Sequence, residues 1–308
     1  MSYLDHTTKS AHIMMEGQAI SMSTIVCDIC PRACRLREGE TGPCGVRANI
    51  EGKNVDVLYQ RVFPPEVMLR GLIAYLPGCN LWCWFCAVYS LWKRPIDTSR
   101  CDVLTEQELV DLALAHNTGG IGFFGGEAAL HHEYVMAVAK LCRKRGLGTI
   151  LPTSGFISEW LAKELAPLIQ QPVVGIKASG NPTVYGRMKA DPEHCLRIAR
   201  AFWEGNKQTE ITTLIGPGME TSQDNKRFAA WVKENIAEDV QVRLEVLTDS
   251  NPVASIHTKY NYVGGIPTAQ QRAFKVGREL KEAGLTNVRL PIICGVGGPP
   301  GPSFHRTV

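Results

Sequence analysis

The sequence of 308 residues lacks long hydrophobic runs and a strong net charge. No stretch approaches the about 18 consecutive apolar residues that mark a transmembrane helix, so we expect no membrane partner. The formal net charge is only +3, and charge alone therefore gives no reason to expect a nucleic-acid partner. The N-terminus lacks the apolar core of an export signal, because Lys9, His12 and Glu16 interrupt it. We expect a cytoplasmic protein.

Cysteine, in contrast, is abundant. The chain has 11 cysteines, and seven of them lie between Cys27 and Cys86. A chain without an export signal does not favour disulfides, so this density indicates metal binding or catalysis.

The pattern along the chain predicts four segments: a flexible tail 1–22, a Cys-rich metal-binding module 23–66, a β/α barrel 67–294 and a Gly/Pro-rich tail 295–308. From about residue 70, short apolar strands alternate with helices six or seven times, which predicts a parallel sheet with right-handed crossovers. Polar and glycine motifs follow nearly every strand, as they do on the catalytic face of β/α barrels. We therefore predict an α/β fold with a partial (β/α)6-type barrel. Before it, a strand-like run from Val55 to Phe63 is expected to end at Pro64-Pro65.

The strongest motif is a cysteine triplet directly after the first predicted barrel strand. Cys79, Cys83 and Cys86 have the spacing C-x3-C-x2-C. Three thiolates on one loop can each bind one iron of a cubane cluster, which leaves the fourth iron open to another ligand. Zinc, which would need a fourth ligand, and three buried thiols without metal are the alternatives.

With Phe85 as the aromatic residue before the last cysteine, this loop resembles the C-x3-C-x-aromatic-C signature of radical S-adenosylmethionine (SAM) enzymes. The resemblance implies that Cys79, Cys83 and Cys86 hold a 4Fe–4S cluster and that SAM chelates the fourth iron. It further implies reductive cleavage of SAM to a 5′-deoxyadenosyl radical, which abstracts hydrogen from a substrate.

Further motifs over roughly residues 70–250 resemble the pyruvate formate-lyase activating enzyme group. Gly125-Gly126-Glu127 matches a Gly-Gly-Glu-Pro segment that binds the SAM amino group, with Ala128 in place of proline. Only the lysine of an Asp-x-Lys motif is kept, as Lys177, since Gly175 takes the aspartate position. The cofactor-binding residues that the resemblance implies are Phe85, Gly125, Gly126, Glu127, Thr153, Ser154, Lys177, Leu214 and Ile215.

The N-terminal module supplies four more thiols, at Cys27, Cys30, Cys34 and Cys44. Four thiolates suit zinc or a second Fe–S cluster, and the spacing does not decide between them. Free thiols in a small apolar module are the remaining alternative. The stretch resembles the front end of a subgroup of activating-enzyme-like radical SAM proteins.

Several isolated residues have possible roles. Glu245 on the sixth predicted strand could face the barrel interior, and His257 lies in a long loop, 251–265, of the kind that carries substrate specificity. Cys101 and Cys294 are candidates for radical-relay thiols. Other positions are predicted to be structural, namely Cys142 and Cys195 in the core and His131-His132 at a solvent-exposed helix start.

These features predict a small-molecule or peptide substrate. The long loop and the C-terminal tail would cover part of the catalytic face of the barrel, whereas an activase needs that face open to admit a protein loop. The alternative is an activase that acts on a protein glycine of a glycyl-radical enzyme. A reductant protein of the flavodoxin or ferredoxin type is the expected partner. The distant alternative is a zinc-stabilised binding protein without enzymatic activity.

Overall fold

The computed structural model describes residues 24–68, 70–86, 88, 95–247 and 266–290. The two predicted tails, the 251–265 loop with His257, and Cys294 lie outside the described residues. Within the described ranges, no helix is both long and apolar enough to cross a membrane.

The N-terminal module consists of two antiparallel hairpins. Strand β1 (Thr24–Val26) pairs with β2 (Arg35–Arg37), and β3 (Arg47–Ile50) pairs with β4 (Lys53–Asp56). Two-stranded hairpins this short are at best marginally stable alone. The module therefore depends on packing against the rest of the chain, and buried Val46 belongs to the main hydrophobic core.

The remaining described strands form one sheet in the order β13-β12-β11-β10-β9-β8-β6-β5-β7. The seven strands from β13 to β6 are parallel, whereas β5 and β7 are antiparallel additions at one edge. This open, parallel arrangement confirms the predicted partial barrel. The strands are β5 (Arg61–Met68), β6 (Gly71–Leu76), β7 (Asp102–Val103), β8 (Gly120–Gly125), β9 (Gly148–Thr153), β10 (Gln171–Lys177), β11 (Glu210–Ile215), β12 (Val242–Val246) and β13 (Val288–Arg289).

Helices connect most of the parallel strands, and local signals fix their ends. Thr105 and Glu108 form a reciprocal capping box at the start of the first helix, as their spacing predicts. Gly146, with φ +70°, follows the second helix and allows the left-handed turn that ends it. The helices are α1 (Glu106–Ala115), α2 (His132–Lys144), α3 (Glu159–Leu165), α4 (Pro182–Arg187), α5 (Pro192–Gly205), α6 (Ser222–Asn235) and α7 (Ile266–Glu282).

The two faces of the sheet differ in character. The face toward the helices is apolar and forms the main core. On the other face, Ile150 and Val173 form a separate small apolar contact. Lys177, Leu214 and Glu245 lie side by side in the register of three neighbouring strands. Because alternate residues of a strand point to the same face, this row shares the inner face with Val173.

The predicted strand end at Pro64-Pro65 is wrong. Strand β4 ends at Asp56, and β5 continues through both prolines to Met68. The pairing of β5 with β6 is irregular between Phe63 and Glu66. Proline lacks the N–H that a regular ladder needs, and an irregular stretch accommodates it. Strand β5 thereby crosses the predicted module boundary at residue 66.

Candidate metal centre and cofactor site

The cluster loop, residues 77–86, leaves the carboxyl end of β6 in a conformation that its glycine permits. Gly78 has φ +83°, and a side chain there would collide with Val46 and the carbonyl of Cys44. The amide of Cys79 donates to that carbonyl at 3.2 Å. The amide of Leu81 lies 3.4 Å from Cys79 Sγ. The first cysteine is therefore fixed by both its backbone and its sulfur.

The cysteines of the triplet are half-buried, and the Cys79 and Cys83 thiols are close enough to influence each other's charge. Burial, then the negative charges of Glu127 and Cys83, raise the pKa of the Cys79 thiol well above its ordinary value. Burial raises the pKa of Cys83 to about 12, although the ammonium of Lys177 acts to lower it. Iron binding requires thiolates, so the positive charge of bound iron must offset the cost of forming thiolates at these positions.

The Gly-Gly-Glu turn packs directly on the cluster loop. The amide of Gly126 donates to Leu76 O and that of Glu127 to Gly78 O, both at 2.9 Å. A Cβ on Gly126 would overlap the carbonyl of Gly78, and one on Gly125 would overlap Leu76. These positions require glycine because two backbones meet there.

Of the two carboxylate oxygens of Glu127, one accepts hydrogen bonds from the described residues. Its side chain is 2% exposed, and Oε2 accepts hydrogen bonds from Ser154 N at 2.9 Å and Ser154 Oγ at 2.6 Å. Oε1 is buried and has no hydrogen-bond partner among the described residues. A buried carboxylate oxygen without a partner is costly, and an ammonium group would satisfy it. The site thus fits the amino group of SAM, beside three thiols that fit an Fe–S cluster.

The remaining residues of the implied cofactor site divide between the two faces of the sheet. A Cβ on Gly175 would lie 3.0 Å from Lys177 Nζ, so the glycine leaves room for this ammonium. Leu214 neighbours Lys177 on the inner face. Ile215, one residue further, is fully buried in the core on the helix side. Thr153 accepts the amide of Gly155 within its own turn at 3.1 Å.

Aromatic and sulfur-containing side chains surround the second half of the cluster loop. Phe85 is buried and packs edge-on against Trp84, with ring centroids 5.0 Å apart. The guanidinium carbon of Arg187 lies 3.8 Å from the centroid of Trp84. The thiol of Cys83 lies 3.3 Å from the sulfur of buried Met188. Such side chains limit access of water to the loop.

The four N-terminal thiols form a second group whose members interact electrostatically. Burial, opposed by hydrogen bonds from Asn80 and from the Arg32 backbone, raises the pKa of Cys30 to about 11. Burial, and then the charges of Cys27 and Cys44, also raise the pKa of Cys34.

N–H groups face two sulfurs of this module, those of Cys44 and Cys27. Cys44 Sγ faces the amides of Val46 and Arg47, each at 3.4 Å. Asn54 Nδ2 donates to Cys27 Sγ at the same distance. Several N–H groups directed at sulfur suit thiolates better than thiols, because a charged acceptor forms the stronger hydrogen bond.

In the described ranges, no three His, Cys, Asp or Glu side chains are arranged as ligands around one metal ion. A single zinc ion would need all its thiolate ligands about 2.3 Å away. The cysteines of a cubane bind different irons. The identity of the group that the N-terminal module binds stays a prediction, as do the individual ligands of both sites.

His131 differs from its prediction. It is 1% exposed rather than solvent-exposed, and its Nδ1 lies 2.8 Å from Asp56 Oδ2. Its Nε2 lies 2.8 Å from the carbonyl oxygen of Pro77. The prediction was wrong because the sequence around a helix start does not show that β4 and the cluster loop cover it.

Two arginines beside the N-terminal cysteines were also missed. Arg47 is buried and forms a bidentate ion pair with Glu133 of α2, at 2.8 and 2.9 Å. Arg32 Nε and Nη2 donate to the carbonyl oxygen of Asn80, at 2.9 and 2.7 Å. The signal in the sequence was their closeness to cysteines of the module, since Arg32 lies two residues after Cys30 and Arg47 three residues after Cys44.

The scattered residues take varied positions. Cys142 and Cys195 are fully buried, as predicted. Burial raises the pKa of the Cys195 thiol, the charge of Glu127 raises it further, and the charge of Lys177 acts to lower it. Cys101 is half-buried and lies next to the short strand β7. Glu245 is on the inner face, where its carboxylate lies 3.3 Å from Arg243 Nη1.

The comparison with known families agrees with this geometry. Residues 73–232 match the radical SAM superfamily, which is more than half of the chain. The chain belongs to this superfamily and is an enzyme. The family implies a 4Fe–4S cluster and SAM as cofactors.

Individual relatives are distant. An uncharacterized protein of Methanocaldococcus jannaschii, MJ0808, is 26% identical over 278 residues, covering 78% of this chain and 81% of the relative. The pyruvate formate-lyase-activating enzyme of Clostridium pasteurianum is 24% identical over 181 residues, covering 56% and 73%. The chain therefore resembles the activating-enzyme group, as predicted.

A solved structure also has a similar fold. SuiB of Streptococcus suis, bound to its precursor peptide SuiA, superposes with a TM-score of 0.53 at 15% identity. The match covers 72% of this chain and 49% of SuiB, so the chain spans about half the length of that protein. At this identity the likeness concerns the fold alone.

Proposed function

We propose that Cys79, Cys83 and Cys86 hold a 4Fe–4S cluster and that Glu127 binds the amino group of SAM beside it. The observation that carries this proposal is the buried Oε1 of Glu127, which has no partner in the described part of the chain. When bound and reduced, the cluster supplies the electron that cleaves SAM to methionine and a 5′-deoxyadenosyl radical.

The protein's own contribution is binding and orientation. Ser154 holds one oxygen of Glu127, so the other oxygen is directed to the ligand. Lys177 on the inner face is suited to the SAM carboxylate, and Leu214 beside it to an apolar contact. Buried Phe85 and Met188 help exclude water from the loop.

The test is anaerobic reconstitution with iron and sulfide, followed by dithionite and SAM. We expect the release of 5′-deoxyadenosine, and we expect Cys83→Ala to abolish it. Cys142→Ala is the matched control, because Cys142 lies on α2 in the core, outside the cluster loop, and it should retain SAM cleavage. Equal product from wild type and Cys83→Ala would refute the proposal.

For the substrate we propose a small molecule or a peptide that enters the inner face near Glu245. The Glu245 carboxylate shares Arg243 with the more deeply buried Glu210 and is about one third exposed. Deuterium transfer from substrate to 5′-deoxyadenosine would identify a true substrate. We keep His257 as a further candidate substrate residue, and Cys101 and Cys294 as candidate relay thiols.

A second candidate function is an activase for a glycyl-radical enzyme, which the relative from Clostridium pasteurianum supports. Incubation with pyruvate formate-lyase would then give a glycyl radical, which electron paramagnetic resonance (EPR) detects. The enzyme class leaves a non-enzymatic zinc protein unsupported.

We further propose that Cys27, Cys30, Cys34 and Cys44 bind zinc or a second Fe–S cluster. Iron and zinc analysis of the anaerobically purified protein, compared with a Cys27/Cys30/Cys34 triple variant, decides between these. A cytoplasmic location and a flavodoxin- or ferredoxin-type reductant complete the proposal.

A further inference from the structure

The N-terminal module holds the backbone of the cluster loop at its first cysteine. The Cys44 carbonyl accepts a hydrogen bond from the amide of Cys79 at 3.2 Å. One backbone hydrogen bond therefore joins a cysteine of the module to a cysteine of the triplet. Val46, two residues further, occupies the space where a side chain on Gly78 would lie. Movement of this part of the module would therefore displace Cys79.

Arg32 holds the next residue of the loop. Two of its guanidinium nitrogens donate to the Asn80 carbonyl. Its guanidinium carbon lies 5.0 Å from the ring centroid of Trp82 and 5.3 Å from that of Phe156. The planar group is thus fixed by two hydrogen bonds and two aromatic contacts, an arrangement that lysine cannot reproduce.

Arg32 and Asn80 also contact the N-terminal thiols. The backbone of Arg32 and the side chain of Asn80 lie close enough to Cys30 to lower the pKa of its thiol, against the raising effect of burial. The Asn80 side chain also donates to the carbonyl of Phe156 at 2.6 Å. The position of Cys30 is therefore coupled to the residue that follows Cys79.

His131 holds the loop from its other end. Its two ring nitrogens lie 2.8 Å from oxygens of Asp56, in the module, and of Pro77, in the loop. The side chains of His131 and Asp56 are both buried, so their contact is shielded from water. Across residues 77–80, the carbonyls of Pro77 and Asn80 and the amide of Cys79 are each held by a group in, or anchored to, the module.

We propose that the four-cysteine module is the scaffold of the cluster loop, with Arg32 and His131 as positioning residues for Cys79. The inference rests on the proposed function, because it takes Cys79 as a cluster ligand. It extends that function by making the state of the N-terminal thiols a determinant of the SAM site. A metal that fixes Cys30 and Cys44 fixes the groups that hold Cys79.

The test compares Arg32→Gln with Arg32→Lys in the reconstituted full-length enzyme. The readouts are cluster iron, the EPR spectrum of the reduced cluster, and the SAM dissociation constant from the spectral change on titration. We expect Arg32→Gln to weaken SAM binding about tenfold, or about 1.4 kcal/mol, and to alter the EPR spectrum. Arg32→Lys should give a smaller effect of the same sign, because one ammonium can still donate to the carbonyl.

Arg35→Gln is the matched control, since Arg35 is an exposed arginine at the start of β2. It should leave all three readouts unchanged, and circular dichroism reports whether each variant folds. Wild-type SAM affinity and EPR spectrum in Arg32→Gln would overturn the scaffold role. An equal loss in Arg35→Gln would overturn it as well.

Cys34→Ser provides a second route should Arg32→Gln fail to fold. It changes a half-exposed thiol of the module and leaves the triplet intact. We expect an altered EPR response of the remaining cluster to SAM, and an unaltered response would contradict the proposal. If the wild type neither binds a cluster nor cleaves SAM, the proposed function fails. If the wild type does both and the Arg32 and Cys34 variants match it in every readout, only the scaffold role fails.

Discussion

Replacing Glu127 by glutamine tests the site with a minimal change in shape. The substitution keeps the size of the side chain and removes the negative charge of the buried carboxylate in the Gly-Gly-Glu turn. Ser154 can still donate to the amide oxygen from its backbone and hydroxyl, so the turn should stay in place. The expected loss therefore concerns the ligand rather than the fold.

The magnitude follows from the one hydrogen bond that is weakened. A hydrogen bond involving a charged group contributes about 1.5 to 3 kcal/mol, which corresponds to about 10- to 150-fold in a dissociation constant. Cluster loading should not fall, because the charge of Glu127 raises the pKa of the Cys79 and Cys83 thiols and its removal favours the thiolates. SAM affinity and iron content should thus respond differently.

The assay is calorimetric titration of SAM into the anaerobically reconstituted protein, with iron measured on the same sample. Glu159→Gln is the control, since Glu159 is an exposed residue of α3 paired with Lys163. Unchanged SAM affinity in Glu127→Gln with a full cluster would refute our assignment of Glu127. A loss of iron equal to that of Cys83→Ala would refute the reasoning on charge.

Three further predictions concern stability. Gly126→Ala should destabilise strongly, since its Cβ would overlap the Gly78 carbonyl. Gly186→Ala, at an exposed position of α4, should be neutral or stabilising by up to about 1 kcal/mol, and thermal unfolding compares the two variants. Arg47→Met should cost about 1.5 kcal/mol in urea unfolding, because it removes the hydrogen bonds of a buried guanidinium to Glu133, whose carboxylate is itself 42% exposed. Although burial raises it, hydrogen bonds from neighbouring side chains leave the pKa of Asp224 lowered. The stability that the Asp224 carboxylate contributes is present above its unfolded-state pKa, about 3.9, and is lost as pH falls through the folded-state pKa. The free energy of unfolding of Asp224→Asn should therefore fall less steeply with acid than that of the wild type. An equally steep fall in the two proteins would contradict this prediction.

Much of the fold could be predicted because its signals are local. The capping box at Thr105 and Glu108 and the glycine that ends α2 depend on neighbours within one turn. The course of β5 through Pro64-Pro65 could not be predicted, because it depends on pairing with β6 and on an irregular register that only the sheet defines. The burial of His131 was missed for the same reason, since its partners are 75 and 54 residues away.

The class of enzyme could be assigned from the sequence, because the cysteine spacing and the Gly-Gly-Glu turn are constraints within a few residues. The sequence also determined the alternation of strands and helices, which follows from local periodicity. The tertiary structure was needed to show that Oε1 of Glu127 has no partner among the described residues and that Arg32, Cys44 and His131 converge on the cluster loop. Such contacts join residues far apart in the chain, and their partners are set by how the module packs against the sheet.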